Sequence, residues 1–519
     1  MSSLRVLSTV LDLPSRLGVK QRRIGHSESP PTTRPEDSLQ GTATEFAPTD
    51  QETQVAQARA NDEFKLPRIV SLVIVQLASA LLQISFFIIV SSSDEYAEYL
   101  GGTATFSGLV IGIPTVFSGL ALIPLTRFDQ GGYKRPLHFA CASAFLGNIL
   151  YSLAYHANYL YLILIGRIVS GFGFTFWMYS KRYCSDPRIV GVRRRTLLAG
   201  WLVLGQGVGF SAGPFLGGLL YRVGFSNTVF NGYTSPTWML AGIWAIFWAF
   251  AAAFFEDVPQ PASAPPQIEL RPMPVQEQVV IDADKDKSTT SFAGPSTSVA
   301  PTMSASAEAI EVPLESRMRM SWAQIGVTAT MCWFAMACFF ILGAWEANIP
   351  VFTSSNSMLN PFHFNPTASG DLIALGGVCT IPFLLVNLIV SRRVQDRHTL
   401  AVGSGLGLVG LLVAIAILRA DKVNYGSLWL CWFLVALGFN LASTVTLSLL
   451  SKQLPGEWNG RISMLIQYSN YTGRVTGAVW GGAGVKVGML SYVGMQIAVV
   501  GIGAVMFSTL WRQLKAKTG

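Results

Sequence analysis

A chain of 519 residues that is 50% hydrophobic and only 13% charged, with a mean hydropathy of +0.42, is too apolar for a water-soluble protein of this length. It reads as a polytopic membrane protein. The net charge of +8 would suit a nucleic-acid binder, but the basic residues stand in short clusters between apolar runs, so loops facing a membrane explain them and no nucleic-acid partner is expected.

Residues 1–67 are polar, read S-P-P-T-T at 29–33, and hold no apolar run of signal-peptide length. A disordered cytosolic tail is expected there. Arg5, Arg16, Lys20, Arg22 and Arg23 against Asp12 alone also resemble a transit peptide, and either that or a basic tail beside an anionic leaflet fits. Apolar spans of about 20 residues, enough to cross roughly 30 Å of hydrocarbon, then follow near 69–92, 104–126, 136–156, 159–180, 197–221 and 236–255. Residues 257–320 are rich in Pro, Ser, Thr and Ala, with D-A-D-K-D-K at 282–287. They are too polar to pack and are expected to form a disordered cytosolic linker. Six further spans lie near 322–348, 369–391, 399–419, 427–450, 464–485 and 490–511. The expected fold is an all-α membrane protein of twelve transmembrane helices in two six-helix bundles, 68–256 and 321–512, with a cytosolic tail at 513–519.

Alternate loops differ in charge. One set holds fourteen Lys and Arg residues, from Arg127, Lys134 and Arg135 through 181–195 and 392–397 to Lys452 and Arg461. The other holds four: Arg222, Arg419, Lys422 and Lys486. Both termini and the linker are therefore expected on the cytosolic side. The sequon Asn470-Tyr471-Thr472 falls inside a span, where it should escape glycosylation. Cys141, Cys332, Cys338, Cys379 and Cys431 fall in apolar segments and Cys184 in a basic loop, without metal-ligand spacing, so neither a disulfide framework nor a metal site is expected.

An internal repeat supports two halves. Gly205, Gly209, Gly213 and Gly217 recur every fourth residue, with Pro214 and Gly218 beside them, and so form one side-chain-free face of the fifth helix. The pattern Gly209, Gly213, Gly217, Gly218 returns 264 residues later as Gly473, Gly477, Gly481, Gly482 in the eleventh span, with Ala478 where Pro214 stands and with Arg474 added. Repeated halves are a hallmark of secondary transporters.

Few polar groups enter the spans. Arg167, in G-R-I-V-S-G-F-G at 166–173, either snorkels to a surface or forms a buried positive centre beside a transport path. Arg474 is a second embedded cation. Glu346, in G-A-W-E-A-N-I-P, is either an acid able to exchange protons within the bundle or one exposed in an outer loop. Asp371 is either a cavity acid or a helix-start charge, and Asp94 and Glu95 read as solvated. Gln76, Gln83, Asn387, Asn440, Gln467 and Asn470 either line the cavity or bond neighbouring helices. Trp177, Tyr179, Trp333 and Trp345 suit either a planar substrate or helix packing.

Arg167-x-x-x-Gly171-x-Gly173 and Gly209-x-x-x-Gly213-Pro214-x-x-Gly217-Gly218 resemble the fourth- and fifth-helix motifs of the drug:proton antiporter branch of the major facilitator superfamily. The resemblance covers 68–512 in helix count, linker and orientation. It implies a role for Arg167 in proton coupling, an exporter's fifth helix, and a two-bundle fold that rocks about a central cavity. The loop T-R-F-D-Q-G-G-Y-K-R at 126–135 keeps Asp129, Gly132, Lys134 and Arg135 of the family's gating loop with altered spacing, and Asp396-Arg397-His398 is its worn counterpart. The stretch 167–218 also resembles vacuolar and lysosomal members, namely phosphate carriers with an SPX domain and the ceroid-lipofuscinosis lysosomal protein.

The expected function is export of a small organic molecule, such as a drug or secondary metabolite, against proton uptake. Arg167, Glu346, Asp371, Arg474, Asn387 and Asn440 would form the proton or substrate site. The partners would be the bilayer, the substrate and protons, with no cofactor, and the protein would act as a monomer, in the plasma membrane rather than the vacuolar one. Rival readings are an anion carrier or channel of a vacuolar or lysosomal membrane, and a substrate sensor with a signalling linker. With no nucleophile, base and orienter set and no P-loop, an enzyme is not expected.

Overall fold

The computed structural model describes residues 65–129, 131–186, 188–223, 227–258, 320–390, 394–454 and 459–515. The expected tail and linker lie outside these except at 65–67, 257, 258 and 320, as do Arg392, Arg393 and 516–519.

Fourteen helices and no strand occur among the described residues. The first half contains α1 (Ile69–Phe87), α2 (Ser93–Tyr99), α3 (Ala104–Arg127), α4 (Lys134–Ala157), α5 (Leu160–Gly173), α6 (Phe176–Ser185), α7 (Val192–Val223) and α8 (Ser235–Phe254). The second contains α9 (Trp322–Ser354), α10 (Pro366–Val390), α11 (Asp396–Arg419), α12 (Tyr425–Gln453), α13 (Asn459–Val487) and α14 (Met489–Thr509). α2 is a single short connector. α5 and α6 together make the fourth span, interrupted at Phe174 and Thr175, where the N–H of Phe174 bonds Gly171 O and the Thr175 hydroxyl bonds Phe172 O at 2.8 Å.

Eleven spans are long and apolar enough to cross a bilayer, with α5 and α6 counted as one. The twelfth long helix, α13, carries Gln467, Asn470 and Arg474, which dilute its hydropathy. It is nonetheless enclosed by protein: its glycines press on α9 and α3, and Arg474 is 7% exposed. The molecule is an integral multi-pass membrane protein.

Helix ends follow local chemistry. Ser321 and Asn424 open α9 and α12 with capping boxes, and Asn158 closes α4 in the left-handed conformation at φ 48°. The first helix differs from expectation: it stops at Phe87 instead of running to 92. Turn bonds from Val90 N–H to Phe87 O and from Ser92 N–H to Ile89 O replace the helical ladder, so the carbonyls of Ser85 and Phe86 need donors from elsewhere.

The two glycine faces set the packing. Gly209, Gly213 and Gly217 of α7 lie on α1, where a Cβ at Gly209 would stand 2.8 Å from Ala80 O. Gly473, Gly477 and Gly481 of α13 lie in the same way on Met336, Phe340 and Ala344 of α9. The last glycine of each motif turns to the opposite half. Gly218 meets Pro366 and Thr367 at the start of α10, and Gly482 meets Ala104 and Thr105 at the start of α3. The halves thus touch backbone to backbone at the end away from the basic loops, where Thr367 Oγ1 also donates to Gly218 O at 2.8 Å.

Candidate functional site

At the centre, α9 and α13 bring Glu346 and Arg474 into an ion pair. Glu346 is wholly buried, so it is not an outer-loop acid. The guanidinium Nη2 of Arg474 faces the carboxylate Oε2 of Glu346. Pairing is what makes both charges tolerable in a bundle, because either alone would leave an uncompensated ion in a low dielectric.

Around the pair runs a row of aromatic rings that crosses from one half to the other. Trp345 stacks on Trp432 (centroids 6.4 Å, 15°), Trp432 lies 6.1 Å from Phe210, and Phe210 meets Phe87 edge-on at 4.8 Å. The Trp345 indole N–H donates to Gln496 Oε1 at 2.9 Å, and Gln496 is itself fully buried. The guanidinium carbon of Arg474 stands 4.9 Å from the centroids of both Phe86 and Phe87.

Arg167 is buried, at 2% exposure, and does not snorkel. It donates to Ser85 O (3.1 Å), Phe86 O (3.3 Å) and Val110 O (3.3 Å). The first two are the carbonyls left over where α1 stops, so Arg167 is the donor that caps the first helix. It also lies 5.5 Å from the Phe86 ring centroid.

The other expected residues are not brought to this pair. Asp371 is exposed near the start of α10 beside Tyr425. Asn440 donates to Ala436 O of its own helix at 2.7 Å, and Asn387 is half-buried near the opposite end of α10. Asp94 is not fully solvated: burial first, then the carboxylates of Glu98 and Glu95, push its carboxyl up to about 6.

The gating loop is built on three carboxylates. Asp129 pairs with Arg182 and accepts the Gly131 N–H at 2.8 Å, where φ is +78°. Asp257 accepts the N–H groups of Tyr133 (2.7 Å) and Lys134 (3.1 Å), capping α4 from the far end of the half. Asp186 takes the Tyr133 hydroxyl at 2.8 Å and the Arg188 guanidinium at 2.6 Å, and Arg188 reaches on to Gly131 O at 2.7 Å. Burial works against the Asp186 carboxylate, but Arg188 and Tyr133 outweigh it and hold the carboxyl below its usual range. Arg135 lines, with Phe128, Phe139, Tyr179 and Asp257, a cavity of about 330 Å³ beside this loop. In the second half, Asp396 is held by Ser448 Oγ and Lys452 Nζ, both at 2.6 Å, and Arg397 lies 4.7 Å from the Trp511 ring centroid.

Sequence reasoning missed Phe86, Phe87, Phe210, Trp432, Gln496, Asp186 and Asp257. Gln496, an amide in an apolar span, carried the same signal as Gln76. The phenylalanines carried none, since any apolar helix supplies them.

Residues 74–478 match the model of the Major Facilitator Superfamily. An uncharacterized MFS-type transporter of Schizosaccharomyces pombe is 30% identical over 458 residues, 86% of this chain and 83% of that one. A segment of 200 residues is 34% identical to an SPX domain-containing membrane protein of Arabidopsis thaliana, covering 38% of this chain and 27% of the plant protein. Among solved structures, a D-xylose-proton symporter superposes with a TM-score of 0.60 at 12% identity, covering 87% of this chain and 99% of that one. A bacterial homologue of the human lysosomal transporter Spinster, inward-facing, gives 0.58 at 12% identity, covering 86% and 97%. Among the described residues, eleven apolar spans and a twelfth long helix, two halves joined through matched glycine helices and a family match over most of the chain lead to one conclusion: the protein belongs to the Major Facilitator Superfamily.

Proposed function

We propose that this secondary transporter exports a small organic molecule in exchange for protons, with Glu346 taking up and releasing the proton and Arg474 as its counter-ion. The observation that carries the reading is the buried Glu346–Arg474 pair. Proton coupling needs a group whose charge can change within the bundle without leaving an unpaired carboxylate there, and a carboxyl beside a permanently charged guanidinium meets that need. Protonation from outside then favours the return of the empty carrier from outward- to inward-facing. Export is supported by the exporter-like glycine and proline pattern of α7. The basic loops support a cytosolic side for both termini and the linker. The protein acts as a monomer in the plasma membrane, and drugs and secondary metabolites are the substrate classes this reading favours.

A second reading, carriage of an anion across a vacuolar or lysosomal membrane, rests on one observation. Among the described central residues two guanidiniums, Arg167 and Arg474, stand against one carboxylate, Glu346, a balance that repels organic cations.

The test is uptake into inside-out vesicles under an imposed pH gradient, screened over amines, organic acids, phosphate and hydrophobic drugs. Gradient-driven uptake that Glu346→Gln makes insensitive to pH is expected. Uptake that keeps its pH dependence in Glu346→Gln removes the assignment. Currents far above carrier turnover in purified protein would replace it by a conducting pathway.

A further inference from the structure

Arg474 has partners in both halves. Its guanidinium is paired with Glu346 on α9 of its own half, while the neighbouring rings of Phe86 and Phe87, on α1 of the other half, each have their centroid 4.9 Å from it. One cation is therefore shared between a carboxylate within the second half and two aromatic faces across the boundary.

Phe86 is not free to follow the arginine. Its carbonyl is held by Arg167 at 3.3 Å and its ring is fixed edge-on against Phe87 and Phe174, at 5.1 and 5.6 Å. Movement at this junction falls to the Arg474 side chain, which swings on a long flexible stem.

We infer that Phe86 and Phe87 are positioning residues that read the charge of Glu346 and convert it into closure between the halves. With Glu346 ionised, the carboxylate holds the guanidinium within the second half. With Glu346 protonated, the two ring faces keep the guanidinium alone and tie α13 to α1. On α13 that tie lies one turn from Ala478, whose backbone meets Gly108 of α3, and two turns from Gly482, which meets Ala104, so the proton favours closure at the end away from the basic loops.

Few other charges bear on Glu346. Arg474 faces it from α13, and Arg167 on α5 acts from beyond the Phe86 ring. The sequences of α1 and α14 carry no Asp, Glu, Lys or Arg; α3 has only Arg127 at its basic end and α12 only Lys452, held by Asp396. On α10, Asp371 points to the exterior beside Tyr425. Other buried titratable side chains on these elements are neutral ones, among them Cys338 on α9, Cys431 on α12, Tyr471 on α13 and Tyr492 on α14.

The inference rests on the proposed role of Glu346 as the proton-carrying group, and the experiment separates the two. Spin labels at Tyr99→Cys and Asp421→Cys, exposed on the two halves at that end, report their separation in the full chain in nanodiscs as the pH is varied. The short separation should gain population about tenfold from alkaline to acidic pH. Glu346→Gln should show the short separation at every pH. Phe86→Leu with Phe87→Leu should flatten the response to under about twofold, and Phe86→Tyr with Phe87→Tyr, which keeps both rings, should restore it. A pH response lost in Glu346→Gln but intact in the leucine pair overturns the inference and leaves the role of Glu346 standing. A response that survives Glu346→Gln overturns both.

Discussion

Among the described residues each half of the protein buries one arginine, and they are neutralised in different ways. In the first half Arg167 is surrounded by three main-chain carbonyls and no acid, and two of those carbonyls exist as acceptors only because α1 ends at Phe87. In the second half Arg474 is matched by a carboxylate on the neighbouring helix. A guanidinium that caps a helix has a fixed set of dipoles about it and nothing to titrate, whereas one paired with a carboxyl has a partner whose charge can be switched. The same residue type thus builds a strut in one half and a responsive site in the other.

Removing each arginine breaks this contrast most directly. Arg474→Ala leaves Glu346 as an unpaired buried charge and is expected to cost about 3–5 kcal/mol. Arg167→Ala leaves three carbonyls without donors, the third being Val110 O, whose partner one turn on is Pro114 with no N–H, at about 1–3 kcal/mol each. Thermal melting in detergent distinguishes the two mechanisms through a second substitution. Adding Glu346→Gln should recover most of the loss in Arg474→Ala and none of the loss in Arg167→Ala. Recovery in the latter would mean that Arg167 too answers to the carboxyl.

The glycine helices sharpen the comparison from the opposite side, because there the halves agree. A Cβ at Gly217 would collide with Ile88 O, in the turn just after α1, and one at Gly481 with Ala344 O of α9. Gly217→Ala and Gly481→Ala should each destabilise by about 1–3 kcal/mol. At Gly205 the nearest atom to a new Cβ is Ala80 Cβ at 3.8 Å, so Gly205→Ala should be neutral or stabilising by up to about 1 kcal/mol. Unequal losses at the first two positions would show that the repeat is not mechanically equivalent.

A pH effect belongs to the first half alone, since 355–365 in the second half carry no carboxylate to match Asp94, Glu95 and Glu98. Because the Asp94 carboxyl is raised to about 6, the folded state binds its proton more tightly than the unfolded chain. Its contribution is complete below the ordinary value of about 4 and is lost as the pH climbs through about 6. The melting temperature should fall by a few degrees over that window, and Asp94→Asn should reduce the slope, leaving the part that Glu95, also raised by burial, contributes.

Much of this was legible in the residues. Spans follow from hydropathy over a local window, and the repeat follows from glycine spacing, so both survive without knowledge of the fold. Glu346 and Arg474 each stood out as embedded charges, yet their pairing depends on which faces of α9 and α13 meet. The premature end of α1 was hidden because Ile88, Ile89 and Val90 continue the apolar run, and with it was hidden the reason for Arg167. The loop acids were hidden differently: Asp186 and Asp257 look like ordinary loop charges until Tyr133 and α4 come to them.

Asp257 has one more consequence. It holds the start of α4 by two hydrogen bonds, and Val258, the next residue, is buried. The chain that joins the halves therefore departs from an anchored point at the foot of the third span, and it re-enters at Ser321 directly into the capping box of α9. The same short stretch is tied to the first span, where Glu256 meets Arg68 and the Ser71 hydroxyl, so the point from which the connection leaves fastens the first, third and sixth spans together beside the loop that Asp129 and Asp186 organise.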